Sequence, residues 1–129
     1  MAVIQTRDTR TFIAGEDLSA AQFKFVTLES DGQVDLADAA GENCIGVCLV
    51  GGTAGAAVTV AVSGKVMVEA GGTIAAGAAV QTDANGDALT AATGDYVMGY
   101  ALEAGVDGQI IAIEPVSYTH LTLPTKRIV

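Results

Sequence analysis

The chain has 129 residues, half of them apolar but only 5% aromatic, with sixteen glycines, no tryptophan and a formal net charge of -9. That length builds one domain, with a core of Val, Ile, Leu and Ala in thin layers. Fifteen acidic residues against six basic ones exclude the clustered cations that nucleic acid or an anionic membrane surface would require.

Residues 1–15, MAVIQTRDTRTFIAG, place charges where the apolar region of a signal peptide would stand. Arg7 and Arg10 beside Phe12 and Ile13 suit an arm that orders on a partner; a frayed terminus is the plainer alternative. Next, DLSAAQF at 17–23 suggests a single helical turn capped by Asp17 or Ser19.

Strands are expected at 23–29 and 33–37 around Asp31-Gly32, a pair suited to a two-residue type I′ turn. The uncharged run at 44–62 has the length of a membrane span. Its central Gly51-Gly52 and the alternation Val58-Thr59-Val60-Ala61-Val62 favour strands at 44–50 and 57–62 instead. Ser63-Gly64 offers a third hairpin turn, into a strand at 65–69. Further strands are expected at 79–82, 87–90, 96–102 and 108–114, the first two joined through Asn85-Gly86. About nine short strands with Gly-rich corners predict an all-β barrel or sandwich.

The pattern repeats. Gly41, Gly46 and Gly55 recur 53 residues later as Gly94, Gly99 and Gly108, while Val26 and Gly32 recur at an offset of 54 as Val80 and Gly86. Two copies of one unit are expected, at about 20–62 and 74–114, within a single β domain at 16–116. The copy of the uncharged run carries Glu103 and Asp107, which argues against a membrane segment. Residues 117–129, SYTHLTLPTKRIV, hold the only His and no repeat partner. They resemble translated adapter sequence, and His120 therefore enters no site.

Little catalytic chemistry is available. Without a histidine in the domain there is no Ser-His-Asp or Cys-His arrangement. On one strand, Cys44 and Cys48 would share a face about 13 Å apart, too far for a disulfide; they suit two buried thiols of a reducing compartment. Asp83-Ala-Asn85-Gly-Asp87 resembles the opening of a calcium loop, but Ala88 and Gly94 stand where its Gly and Glu are needed. SGKV lacks the first Gly of a phosphate loop. GKVMVEAGGTIAAGAAV resembles half of a biotinyl or lipoyl carrier domain, yet Lys65 lies outside the Met-Lys-Met or Asp-Lys-Ala setting of a modified lysine. No enzyme, cofactor or metal is expected.

Taken in order, DLSAAQFKFVTL, the Asp-Gly turn, GENCIGVCLVGG, VSGKVMVEAGGTIAAGAAVQTDANG and GYALEAGVDGQIIAIE resemble the capsid cement, or decoration, proteins of tailed bacteriophages, the family long filed as DUF2190. The resemblance spans Asp17 to about Glu114. It implies a β-rich virion protein, made in the bacterial cytoplasm, that binds the capsid exterior as a trimer or dimer and braces contacts between major capsid subunits. Arg7, Arg10, Phe12 and Ile13 are then the expected contacts with the capsid or a sister subunit. A self-assembling or adhesive β protein, such as a tail or surface fibre component, is the alternative.

Overall fold

In a computed structural model the structure describes residues 5–116, with side chains from residue 8 onward; the tail at 117–129 lies outside the described residues. Nine strands form: β1 (Gln5–Ile13), β2 (Phe25–Leu28), β3 (Val34–Leu36), β4 (Gly46–Val50), β5 (Ala57–Glu69), β6 (Ala79–Thr82), β7 (Ala88–Thr90), β8 (Gly99–Ala101) and β9 (Ile110–Pro115). They join antiparallel in the order β3-β2-β4-β5-β9-β8-β6-β7, with β1 added on β5. The sheet is a curled half-barrel, all-β as the sequence predicts.

Residue pairing shows the duplication directly. Val26 pairs with Leu36 and Val80 with Thr90; Phe25 pairs with Val47 and Ala79 with Tyr100. Each member of the first copy lies 53 or 54 residues before its counterpart. The likeness also extends upstream of the expected copies. Gly15 N–H donates to Val34 O and Gly71 N–H to Ala88 O, both at 2.8 Å. Parallel bridges Ala14–Val34 and Ala70–Ala88 mark where each copy curls back on its first strand. One repeat therefore runs from β1 into the first half of β5, and the other from the second half of β5 to β9.

This sharing of β5 corrects the expected turn at Ser63-Gly64. The hairpin would require the flanks of that pair to face each other, but both belong to one strand. Gly64 pairs with Thr6 and Lys65 with Gln5 on β1, and Val66–Glu69 pair with β9. Gly64, at φ 94°, bends the strand where it passes from one repeat to the next.

The turns at Asp31-Gly32 and Asn85-Gly86 join adjacent strands, yet neither is type I′. Positive φ occurs at Gly32 (84°) and Gly86 (83°) but not at the residue before each. Gly32 N–H donates to Glu29 O and Gly86 N–H to Asp83 O, giving type I turns closed by a left-handed glycine. Aspartate side chains fix this form: Asp31 Oδ1 accepts Gln33 N–H at 3.0 Å, and Asp83 Oδ1 accepts Asn85 N–H at 2.7 Å and Asp87 N–H at 2.9 Å.

Two more expectations change. Residues 17–23 form turns rather than a helical turn, with Asp17 Oδ1 accepting Ser19 N–H at 3.1 Å. Cys44 precedes β4 and packs in the core around β5, β6, β8 and β9; Cys48 packs in the core beneath β1–β4. The two thiols are free and buried, but in different cores rather than on one face.

Candidate interaction surfaces

The expected arm is part of the sheet. Residues Gln5–Ile13 are β1, paired along β5 from Lys65 to Ala57. Phe12 is partly buried and packs against the core of the first repeat. Arg10 is exposed and forms a surface pair with Asp8 at 3.4 Å; Ile13 is 41% exposed. Arg7 sits at a register shift of β1, and its side chain lies outside those described. Of the expected contacts, Arg10 and Ile13 are the exposed ones among the described side chains, and Phe12 also holds the strand to the core.

The junction between the repeats supplies the other geometry. The tip of the second hairpin, Asp83–Asp87, rests on the base of the first. Gly86 O accepts the Phe25 N–H at 2.7 Å, and Glu69 N–H donates to Phe23 O at 2.9 Å. Phe23 is the one non-glycine at positive φ among the described residues (67°); its counterpart is Gly77. Lys24 Nζ reaches Asp87 Oδ1 at 2.5 Å and Glu69 Oε1 at 3.5 Å. Burial works against the Lys24 charge, but the hydrogen bond and the two carboxylates outweigh it and hold its pKa above the ordinary lysine value. Asp87 is pushed up chiefly by burial, against the pull of Lys24, with the like charges of Glu69 and Asp83 adding to the rise. Beside this pair, Gly41 N–H donates to Thr82 O at 2.9 Å, and the Cys44 N–H faces Met98 Sδ at 3.2 Å.

The turns therefore lie at different ends of the first hairpin: Asn85-Gly86 at its base and Asp31-Gly32 at its free tip. A Cβ built on Gly32 meets nothing within 4 Å, whereas one on Gly86 meets Leu36, Lys24 and Phe25. The repeats stack tip on base.

Elsewhere the polar groups serve local structure. Asp35 is raised by burial and by the like charges of Glu16, Glu29, Asp31 and Asp38, and its Oδ1 has no hydrogen-bond partner. Burial pushes the Cys44 thiol up to about 12, far from a reactive thiolate. No group of three or more His, Cys, Asp or Glu among the described residues is placed to hold a metal. The Asp83 and Asp87 carboxylates of the calcium-like stretch are engaged by the turn and by Lys24.

A family model described as phage cement protein matches residues 4–113, from β1 into β9. The chain belongs to that family. As a cement protein it is a structural component of the virion that associates with capsid proteins. Among solved structures, the head fiber gp8.5 N base of bacteriophage phi29 is similar, with a TM-score of 0.66 over 84% of this chain and 93% of that chain. Its sequence identity of 19% makes this a likeness of fold. No curated protein matches the chain.

Sequence reasoning missed Lys24, Leu28 and Tyr100. Leu28 and Tyr100 are 49% and 48% exposed, while their counterparts Thr82 and Val47 are buried to 0% and 1%. Comparing the copies for positions where chemistry differs, rather than where it agrees, would have singled them out.

Proposed function

We propose that the protein attaches to the outer surface of the phage capsid as a trimer and holds neighbouring major capsid subunits together, acting by binding and catalysing nothing. Family membership along nearly the whole described fold carries this reading. A small acidic β domain adds contact area without a reactive centre, and modest affinity repeated over a shell accumulates into a brace. The contact edge in this reading is β1, whose one strand neighbour among the described residues is β5 and which presents Arg10 and Ile13 outward. Arg10 supplies a cation on an otherwise acidic surface.

Deleting residues 2–15 would not test this, because it removes a strand of the fold and uncovers β5. The variant Arg10→Glu changes one exposed side chain instead. Mixed with capsids lacking the protein, it is expected to lose occupancy in cosedimentation at an unchanged melting temperature. Full occupancy by the variant would exclude this edge. Capsids whose heat resistance is unchanged by bound wild-type protein would exclude the bracing role. A second reading, as the base of a surface fibre, is favoured by the fold shared with the phi29 head fiber base; additional density rising from the bound domain would select it.

A further inference from the structure

We propose that the two faces left uncovered by the internal duplication dock on each other between chains: the free tip of the β2–β3 hairpin of one copy seats on the base of the β6–β7 hairpin of the next. This rests on the self-association in the preceding reading, not on capsid attachment. The occupant is a second copy of this chain.

The junction inside the chain supplies the template. Repeat 1 offers a base to the tip of repeat 2, and the duplication gives repeat 2 a base of its own. Its surface is uncovered among the described residues. Val47, buried at the junction, becomes Tyr100, which is half exposed; Phe25, also buried there, becomes the partly exposed Ala79. At the other end, repeat 1 has a tip with nothing over Gly32. Thr82, fully buried under the first repeat, becomes the exposed Leu28.

Charge decides that these two faces suit each other. Within the chain, Lys24 on the base meets Glu69 and Asp87 from the other repeat. The counterpart of Lys24 is Ala78, the counterpart of Glu69 is Ile13, and the counterpart of Asp87 is Gln33. The cation and both anions have been replaced together by uncharged residues on opposite faces. Had only one side changed, docking would strand a charge out of water; with all three neutral, none is stranded at these three positions. Leu28, Ile13 and Tyr100 then bring apolar area to a contact that the internal junction makes with ions. Tip on base is a head-to-tail arrangement, which closes into a ring where the rotation allows.

The test uses the full chain in a dilution series followed by sedimentation velocity. Wild type is expected to form a finite oligomer. Ala78→Lys alone and Gln33→Asp alone each place an unpaired charge in the contact and should raise the dissociation midpoint about tenfold. Together they recreate the Lys24–Asp87 pair, and the double variant should return towards wild type, a coupling that fold damage does not mimic. Independently, Gln33→Cys mixed with Ala78→Cys should crosslink, while neither crosslinks with itself. Wild type that stays monomeric, single variants without effect, or Gln33→Cys bonding to itself would each overturn the proposal. A monomer that still decorates capsids overturns this inference and leaves the cement reading standing; a ring that fails to decorate does the reverse.

Discussion

Replacing Gly32 and Gly86 by alanine, one at a time, separates backbone strain from the contact between repeats. Both glycines occupy corresponding turns at φ 84° and 83°. A Cβ in that left-handed region costs about 1–2 kcal/mol at either position. At Gly32 nothing more is lost, because the new methyl meets open space. At Gly86 the methyl would lie 2.7 Å from Leu36 Cδ1 and 3.2 Å from both Lys24 Cβ and Phe25 O. The Leu36 methyl can swing aside. Phe25 O cannot, since the same backbone segment is bonded to Gly86 O. Overpacking of this kind adds about 1–3 kcal/mol, so Gly86→Ala should destabilise by about 3 kcal/mol and Gly32→Ala by about half as much. Urea unfolding followed by tyrosine fluorescence, at dilutions where the chain is monomeric, measures both. Equal losses, or a larger loss at Gly32, would refute the tip-on-base packing.

Lys24→Met should cost about 2 kcal/mol at neutral pH, below the 3–5 of a fully buried pair, because the Lys24 and Asp87 side chains keep 20% and 14% of their exposure. The pKa of Lys24 is raised in the folded state, so its contribution is complete below the unfolded value near 10.4 and is lost as pH rises through the folded value. In acid, protonation of Asp87, whose pKa burial already raises, should also narrow the gap between variant and wild type. Asp35→Asn should stabilise by about 1 kcal/mol at pH 7, raising the melting temperature by roughly 4 °C. Because the folded pKa of Asp35 is raised, wild type carries no penalty below the unfolded value near 3.9 and the full penalty above the folded one. Melts near pH 3 should therefore show no gain, and an equal gain at both pH values would assign the effect to something other than charge.

Hydrophobic alternation and the Gly-containing turns made most strands legible, since each local signal agrees with its neighbours. The sequence left β1 undecided because its register depends on partners 44 to 60 residues away, and a polar strand covering one edge has no apolar period of its own. Ser63-Gly64 misled for the opposite reason: the local dipeptide satisfies a hairpin, and long-range pairing with β1 and β9 overrides it. The upstream part of the repeat was visible in principle. Ala14-Gly15 with Leu18 and Ala70-Gly71 with Ile74 share spacing, at an offset of 56 rather than 54, so a search at one fixed offset passes over them. The family resemblance was legible because it lay in the order of weak motifs. The junction was not, since Lys24, Glu69 and Asp87 meet only after the sheet curls.

The different chemistry of the internal and external junctions has a use. If both carried the same contacts, the tip of repeat 1 from one chain could compete with the chain's own Asp83–Asp87 turn for the Lys24 base, and assembly could open the fold into swapped chains. The substitutions prevent the exchange in both directions. Gln33 and Ile13 in place of Asp87 and Glu69 would leave Lys24 partly buried without a counterion. Asp87 presented to Ala78 would be a partly buried carboxylate without a cation. At these positions each wrong pairing leaves a charge without any partner, while the right ones do not, so a discrimination of this kind excludes competitors as much as it binds partners. The ion pair also sits where its desolvation is best tolerated: inside one chain, where the partners are already tethered, rather than between chains that must first meet.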